Sequence, residues 1–351
     1  MAVLGTTVPT LADIAASMGP DGNFDSERVN LLAQTNEMLD DMVWKEGNLP
    51  TGHQTTLITG LPTVGFRRFN EGVALSKSTG AKIEEGAAML EGFFQVDRAL
   101  AVMAGNVNQY RLDESALFME AMNQTLQTYV LYGNSATMPE SFTGLAARYN
   151  TLSGAIGQQI VNANGVGSDN TSIWLVGWGP AVFGMYPKGT VGGLFHEDVT
   201  VNKTAMPGNG GAMTGDVLLD ANGRAFMGYR DHFQWNCGLV IRDYRAVARI
   251  ANIDVSDLIA GGVNAANIID LMITAYYKIP TVLRKNMGKN GFGRPAWYVS
   301  PLVKMILHKQ SLNKTNVHLS LSEVDGKEVL RFLSIPVREV DQILSTEAAI
   351  T

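Results

Sequence analysis

A chain of 351 residues, 46% of them hydrophobic, is long enough for one large or two medium domains and too apolar to be disordered over most of its length. Charged residues make up only 17%, below the typical level of about 25%, so we expect much of the surface to be buried against partners. The net charge of −6 and the lack of a basic stripe exclude nucleic-acid affinity as the main role.

The single cysteine, Cys237, excludes an internal disulfide framework. Its apolar neighbours predict a buried and unreactive thiol. The first residues lack the basic and apolar regions of a signal peptide, and no stretch reaches the ~18 apolar residues of a membrane span. We therefore expect a protein that is made in a cytosol and has no membrane partner.

Residues 1–50 are predicted to form an arm with two helices. The first covers 11–18 and ends at the helix-breaking sequence of residues 19–22. The second begins after Ser26 and continues to about residue 43, with apolar residues at helical spacing. That apolar face needs a partner.

Residues 51–96 predict a long β-hairpin. The runs Thr55–Thr59, Thr63–Phe69 and Ala81–Val96 are strand-like, and a segment rich in Gly, Ser, Thr and Lys separates the last two. A hairpin alone is marginal in water, so we expect this one to be supported by a neighbouring subunit. The inter-subunit contact is predicted at the mobile tip, which consists of Ser76, Lys77, Ser78, Thr79 and Gly80.

The strongest helical pattern covers residues 113–132. Its apolar residues Phe118, Met122 and Leu126 recur every four positions and continue at Val130. Gly133 follows at the position where a glycine commonly ends a helix. Such a helix is about 30 Å long.

From residue 173 the pattern changes to strands. They are predicted at residues 173–176, 182–186, 190–194, 224–241 and 245–250. The glycine-rich segment Pro207–Asp216 is predicted to be a surface loop. It is not a phosphate-binding loop, because no Gly-Lys-Ser/Thr sequence ends it.

The remaining residues predict a compact α/β portion. Helices are expected after a Ser256 cap and over residues 265–277 and 301–310, and strands over 295–300, 317–321, 328–333 and 334–337. The dipeptide Asp325-Gly326 predicts a hairpin turn between two of these strands.

Catalytic patterns are missing from the sequence. Neither Gly-x-Ser-x-Gly, nor His-Glu-x-x-His, nor a dinucleotide glycine fingerprint occurs. The only dense polar cluster is His196-Glu197-Asp198, and we interpret it as a turn between strands rather than a metal site formed by His196 and Asp198. Asp40-Asp41 is interpreted as a solvated pair on the arm helix. We expect no catalytic residue, cofactor or metal.

The order of these features resembles the Hong Kong 97-type capsid fold of tailed phages. More specifically, the chain is similar to podophage major capsid proteins of the epsilon-fifteen kind, over nearly its whole length. The segments that carry this resemblance are 47–53, 60–62, 76–79, 119–124, 132–134, 144–146, 174–179 and 247–254.

The resemblance implies an α+β fold in four parts. These are an N-terminal arm (1–50), an extended β-hairpin loop (51–96), a peripheral domain (97–255) that contains the spine helix 113–132, and an axial-type α/β domain with the C-terminal strands (256–351). It also implies pentamers and hexamers that tile an icosahedral head around double-stranded DNA. The strand-rich block precedes the α/β block, which departs from the founding member of the fold.

The main partner implied by the resemblance is the protein itself. No long extension precedes the arm, so we expect a separate scaffolding protein, besides portal and cement proteins, and only non-specific contact with DNA. The protein would reside in the virion after synthesis in the bacterial cytoplasm. Some relatives cross-link their loops, and Lys77 and Lys82 lie in this loop, but no motif assigns them that chemistry.

Two alternative hypotheses stay open at this point. A capsid decoration or tail component is a second kind of phage structural protein, but it would lack the arm, hairpin and long helix in this order. An α/β enzyme centred on residues 256–345, with a site near His196, is supported only by the α/β pattern.

Overall fold

The structure is a computed structural model that describes residues 36–200, 216–219, 222–262, 264–285, 293–312, 319–324 and 327–351, together with Pro9 and Gln34. Contacts divide the chain into two units. Of the described segments from residue 36 onward, unit 1 contains 89–126, 193–200, 216–219 and 222–235, and unit 2 contains the others. The predicted arm helix 11–18 and most of the second arm helix lie outside the described residues.

The described residues form α-helices and strands in mixed order. The helices are α1 Glu37–Asp41, α2 Arg98–Met103, α3 Val107–Tyr132, α4 Leu145–Arg148, α5 Gly154–Gly157, α6 Val255–Ala260, α7 Ile268–Lys278, α8 Thr281–Lys285 and α9 Pro301–Leu312, and Tyr244–Ala246 is a short 3-10 helix. The strands are β1 Trp44–Glu46, β2 Gly52–Gly60, β3 Thr79–Gly86, β4 Ala88–Asp97, β5 Ile160–Asn162, β6 Asn170–Trp178, β7 Val182–Tyr186, β8 Leu194–Asp198, β9 Asp216–Leu219, β10 Ala225–Ile241, β11 Val247–Asp254, β12 Arg294–Val299, β13 Leu319–Val324, β14 Lys327–Phe332 and β15 Ile335–Glu339.

Unit 1 is built from one long helix and a sheet. β8 and β9 pair antiparallel with the first part of β10, and β4 is its neighbour on the other side of the sheet. The core includes Phe94, Tyr110, Met122 and Phe233. Phe118 of α3 stacks on Phe233 with ring centroids 5.3 Å apart. Phe118 and Met122, the first part of the stripe predicted from the sequence, therefore face this core.

Unit 2 is organised around β6, all nine residues of which are buried. β6 pairs antiparallel with β11 and β12, β12 pairs parallel with β15, and β14 and β13 extend the sheet beyond β15. Trp174, Trp178 and Trp297 are completely buried in it. A strand buried on both faces reads as a continuous apolar run, which is the pattern that residues 173–176 present.

The short helix α1 is held to this sheet by a polar chain. The Trp178 indole donates to the Tyr298 hydroxyl over 2.7 Å, and Tyr298 donates to Asp41 over 3.1 Å. Arg338 donates to both carboxylate oxygens of Asp41. Burial raises the pKa of Tyr298 well above its usual value. The interpretation of Asp41 as a solvated residue was wrong, because its carboxylate is the acceptor that completes this chain.

The C-terminal residues are bound to unit 2 by a buried ion pair. Arg249 and Glu347 are 3% and 8% exposed, and Arg249 Nη2 lies 2.9 Å from Glu347 Oε2. Tyr132 and Ser172 donate their hydroxyls to the same carboxylate over 2.6 and 2.5 Å. Three side chains therefore donate to one carboxylate, which fixes the last residues of the chain in place.

Helix α3 starts six residues earlier than predicted, at Val107. The reason is Asn106, whose side chain accepts from the backbone N–H groups of Asn108 and Gln109 and so caps the helix. The predicted end is confirmed. A Cβ on Gly133 would lie 2.5 Å from the carbonyl oxygens of Tyr129 and Phe142, so close backbone approach requires glycine there.

Three other local predictions were wrong. Thr63–Phe69 forms no strand, because this run has no strand partner among the described residues. The strand predicted at 190–194 is replaced by β8, because Gly193 has a φ of +96° that a regular strand excludes. Asp254, rather than Ser256, caps α6 by accepting from the Asp257 N–H over 2.8 Å.

Candidate functional site

A hairpin forms between residues 52 and 86, and it is the candidate site for contact between subunits. It is shorter than the predicted 51–96, because residues 88–97 form β4, which is a neighbour of β10. β2 pairs antiparallel with β3, from Gly52 opposite Gly86 to Gly60 opposite Thr79. Residues 61–78 join the two strands, and from here on we call them the hairpin tip. The tip predicted from the sequence, residues 76–80, overlaps this segment only at 76–78. The end of the hairpin near Gly52 and Gly86 is called the hairpin root.

Large apolar side chains of the hairpin tip stand in solvent. Phe66, Phe69 and Leu75 are 93% exposed or more, and Leu61 and Val64 are at least 85% exposed. A well-packed monomer rarely leaves a cluster of large apolar side chains uncovered. Aromatic residues of this kind are the residues that carry the most binding energy when a partner buries them.

A tight turn presents the two phenylalanines. The Glu71 N–H donates to the Arg68 carbonyl over 3.3 Å, and Asn70 adopts a left-handed φ of 65°, a conformation that asparagine tolerates. Arg67 and Arg68 separate the phenylalanines in the chain. Among the residues the structure describes, no carboxylate lies within ion-pair distance of either arginine.

The predicted contact residues divide between loop and strand. Ser76, Lys77 and Ser78 lie in the hairpin tip, whereas Thr79 and Gly80 are the first residues of β3. Ser76 donates to the Thr63 carbonyl over 2.7 Å, which closes the tip across its two sides. All five residues are exposed. The sequence interpretation missed Phe66 and Phe69, since an aromatic and β-branched run looks the same in a buried strand and in an exposed loop.

The hairpin root is fixed by a buried charge pair. Glu85 is 7% exposed, and Arg148 donates to its two carboxylate oxygens over 2.6 and 2.5 Å. The same guanidinium donates to the Thr143 carbonyl. A bidentate arginine–carboxylate pair fixes both distance and orientation, so the root of the hairpin has a defined direction.

His53 lies beside this pair at the hairpin root. It faces Glu85 in the strand register and meets the ring of Phe183 edge-on, with centroids 5.4 Å apart. Its Nδ1 is buried and has no hydrogen-bond partner among the described residues. Burial and the positive charge of Arg242 lower the pKa of His53, although the carboxylate of Glu85 acts in the opposite direction.

The polar cluster at His196 was expected to be a turn, and it is part of strand β8. His196 and Asp198 are two residues apart on the strand and therefore share one face. They line a cavity of about 250 Å³ in unit 1 together with Arg111 and Asp231. Arg111 lies 3.0 Å from Asp198 and 2.6 Å from Asp231, and so the guanidinium already provides the positive charge between the carboxylates.

This arrangement favours a structural role for the cluster. Burial acts to raise the pKa of Asp198, but the hydrogen bonds from Thr200 and Arg111 and the positive charge of Arg111 together lower it. His196 stacks on Phe233 at 4.6 Å and is 3.2 Å from Asp231. Within the described part of the chain, no group of three or more His, Cys, Asp or Glu side chains is arranged to hold a metal ion.

Two further sequence interpretations can be compared with the structure. Cys237 is buried, and burial raises the pKa of its thiol to about 12, as expected for an unreactive cysteine. In the described residues, no helix combines the length and hydrophobicity needed to cross a membrane.

Comparison with known proteins identifies one family. The family model of the major capsid protein GP7 matches residues 19–351. No curated protein matches the chain. The structure of bacteriophage Epsilon15 from electron cryo-microscopy is similar to this chain with 35% identity, a TM-score of 0.73 and complete coverage of both chains.

Other solved shell structures are less similar to this chain in sequence and in structure. The capsid of bacteriophage JBD30 matches with 11% identity and a TM-score of 0.46, covering 95% of this chain and 99% of that one. The SrpI encapsulin complex of Synechococcus elongatus PCC 7942 matches with 13% identity and a TM-score of 0.41, covering 72% and 93%.

Proposed function

The chain belongs to the family of the major capsid protein GP7, and we propose that its copies form the pentamers and hexamers of an icosahedral phage head that encloses double-stranded DNA. It is a capsid protein of the virion with the α+β, Hong Kong 97-type fold that the sequence resemblance implied. The division into arm, hairpin loop, peripheral domain and axial-type domain, with bounds near residues 50, 96 and 255, belongs to the proposal.

One observation carries the assembly role, namely the exposed apolar side chains of the hairpin tip. Phe66, Phe69 and Leu75 cannot be covered by their own chain within the described contacts, since the tip pairs with no strand beyond residue 60. Burying a phenylalanine side chain contributes roughly 1.5–3 kcal/mol. A second copy of the chain is the partner that a shell supplies at every hairpin, so we assign the tip of one copy to the surface of a neighbour.

The charges of the tip suit unit 1 of that neighbour. Residues 61–78 contain Arg67, Arg68 and Lys77 against Glu71, a net charge of +2. The described residues of unit 1 contain nine acidic and four basic residues, a net charge of −5. Complementary charge favours the correct encounter and disfavours the pairing of two tips. Lys77 would then contribute to this contact by its charge, and Ser76 and Ser78 would shape the loop.

The further partners belong to the same proposal. A shell of this kind needs a scaffolding protein and a portal, and its contact with DNA is non-specific. We also propose that the protein is made in the bacterial cytoplasm and that it has no catalytic activity. The arrangement at Arg111, Asp198 and Asp231 supports this last point, because the arginine occupies the position where a reactive group or metal would act.

Electron microscopy of the full chain, expressed with its neighbouring genes, tests the shell function. We expect closed shells or hexamer sheets. Small discrete particles without a lattice under every condition would contradict the proposal. Deletion of Ser76–Ser78 tests the tip contact in the same experiment, because it shortens the loop and leaves the β2–β3 ladder intact.

The deletion should reduce the yield of shells without changing the urea concentration at which the chain unfolds. Ser76→Thr/Ser78→Thr is the matched control, since it keeps the loop length, the hydroxyl groups and the charge of Lys77, and it should assemble like the wild type. Normal shell yield from the deleted chain would exclude the predicted tip contact and would leave the shell function itself untouched.

A further inference from the structure

Asparagine followed by glycine is a chemically reactive dipeptide, and this chain contains four of them. The backbone nitrogen of the glycine can attack the side-chain carbonyl carbon of the asparagine, because glycine has no Cβ that obstructs the approach. Two of the four, at Asn209 and Asn290, lie outside the described residues. The structure describes the other two, Asn164-Gly165 and Asn222-Gly223.

The two described dipeptides have the same sequence and similar exposure. Asn164 and Asn222 are both exposed to solvent. Both dipeptides lie in connections between strands, the first between β5 and β6 and the second between β9 and β10. Sequence and exposure alone would therefore predict equal reactivity at the two sites.

The backbone at Gly165 is fixed by hydrogen bonds to β11. The Gly165 N–H donates to the Asn252 carbonyl over 2.7 Å, and the Ala163 N–H donates to the Ala251 carbonyl over 2.9 Å. A Cβ on Gly165 would lie 2.5 Å from the Asn252 carbonyl oxygen, so this backbone has no room to turn. The nitrogen that would attack Asn164 is therefore already engaged, and it becomes available only when the segment opens locally.

The backbone at Gly223 has none of these constraints. Among the residues that the structure describes, the Gly223 N–H has no acceptor, and no atom lies within 4 Å of the position that a Cβ would take. The φ of +74° is a conformation that glycine adopts without strain. Pairing of Leu219 with Ala225 fixes the two ends of this turn, and the nitrogen of Gly223 lies between them with space to move.

We propose that Asn222 deamidates spontaneously in the folded chain, whereas Asn164 is protected. The Gly223 nitrogen forms a bond to the side-chain carbonyl carbon of Asn222. The bond from this carbon to the amide nitrogen breaks, and that nitrogen leaves as ammonia with the proton of the Gly223 N–H. Water then adds to one of the two carbonyls of the cyclic imide and opens the ring to aspartate or isoaspartate. The inference goes beyond the proposed function and does not depend on it.

Either product changes the turn between β9 and β10. The neutral amide becomes a carboxylate, which adds one negative charge to the formal −6 of the chain. Isoaspartate also lengthens the main chain by one methylene group, because the former side-chain carbonyl then forms the peptide bond to Gly223. The reaction consumes only water, so copies of different age would differ in charge at this turn.

Mass spectrometry of the purified, unassembled full chain tests the proposal. The chain is incubated in mildly alkaline buffer and digested, and fragment ions locate the conversion of amide to acid at each asparagine. In the folded chain, Asn222 should convert at least about tenfold faster than Asn164, because Asn164 reacts only through local opening of its segment. In urea the two rates should become similar, because both backbones are then unconstrained.

Gly223→Ala is the direct test of the attacking nitrogen. It should slow the conversion at Asn222 at least about fivefold, because a Cβ obstructs the approach, and it should leave Asn164 unchanged. Equal rates at the two asparagines in the folded chain would overturn the proposal. Conversion at Asn222 in urea but not in the folded chain would overturn it as well.

Glu347→Gln tests the protection of Asn164. Glu347 forms a two-way backbone bridge with Asn170, at the end of the connection that contains Asn164. Weakening of this bridge should favour local opening, so the conversion at Asn164 should become faster and the conversion at Asn222 should not change. Acceleration at both sites to the same extent would show that global unfolding controls the reaction, and it would overturn the proposal.

Discussion

The hairpin tip and the C-terminal segment 340–351 both belong to unit 2, and they are built in opposite ways. The C-terminal segment is fixed by its own chain. Glu347 forms a two-way backbone bridge with Asn170, and Ile350 forms another pair of hydrogen bonds with Asn252. Among the described residues, the hairpin tip has no comparable hydrogen bonds to other segments, and its largest side chains face solvent.

The C-terminal segment therefore serves the folding of the monomer, and the hairpin tip serves the assembly of copies. A segment held by a buried charge pair needs no second copy to fold, since Glu347 already has its counter-charge in Arg249 and its hydrogen-bond donors in Tyr132 and Ser172. The apolar side chains of a segment that exposes Phe66 and Phe69 are buried only when a second copy covers them. Changes to the first segment should therefore alter the free energy of unfolding, and changes to the second should alter shell formation.

Removal of the two phenylalanines should have the largest effect on assembly. In Phe66→Ser/Phe69→Ser, the yield of shells should fall by more than about tenfold, because a buried aromatic anchor contributes about 2 kcal/mol or more to an interface. Unfolding by urea should be unchanged, because both rings are exposed among the described residues. Sedimentation measures the yield, and tryptophan fluorescence follows unfolding.

The control for this variant is Val166→Ser/Val191→Ser, which removes two exposed apolar side chains outside the hairpin. It should assemble like the wild type. If the phenylalanine variant unfolds at a lower urea concentration, the tip contributes to the monomer and the comparison between the two segments fails.

Glu347→Gln is the corresponding test of the C-terminal segment. The free energy of unfolding should fall by about 3–5 kcal/mol, because the substitution leaves the buried guanidinium of Arg249 without a counter-charge. Urea unfolding of the unassembled chain, followed by the fluorescence of the buried tryptophans, measures the change. Asp243→Asn breaks the more exposed pair with Arg245 and should cost less than about 1 kcal/mol. Equal losses in the two variants would contradict the assignment of Glu347 as a buried charge.

Local periodicity was sufficient to predict much of the fold. The four-residue spacing of Phe118, Met122 and Leu126 marked the face of α3 that meets the core, and the apolar run at 173–176 marked the buried strand β6. The helix cap at Asn106 could also have been predicted, since asparagine is a common residue at the start of a helix. Its effect, a helix that starts at Val107, is a purely local consequence of sequence.

The polar contacts that fix the segments could not be predicted in the same way. Glu85 and Arg148 are 63 residues apart, and Arg249 and Glu347 are 98 apart, so no local pattern connects them. The candidate tip contact was only partly predictable. Glycine, serine and lysine content indicated a loop at Ser76–Ser78, but the exposure of Phe66 depends on the absence of a partner strand, which no residue type encodes.

The hairpin root offers the most sensitive test of the comparison, because it belongs to the folded body and yet sets the direction of the tip. Burial and Arg242 lower the pKa of His53 in the folded chain relative to 6.5, its usual value. The unfolded chain therefore binds a proton more readily than the folded chain does. His53 therefore contributes its full share to the free energy of unfolding above the pKa that it has in the unfolded chain. This contribution is lost as the pH falls from that value towards the lower pKa of the folded chain.

We therefore expect the backbone amides of Thr55 and Glu85 to exchange hydrogen faster, relative to intrinsic rates, when the pH falls from about 7.5 to about 5.5. His53→Gln should abolish this pH dependence, and the exposed His308→Gln should retain it. The effect should be smaller than that of Glu347→Gln, because the neighbouring carboxylate of Glu85 partly compensates the imidazolium charge. Unchanged exchange at the root, together with faster exchange elsewhere in unit 2, would place the acid-sensitive group outside the hairpin.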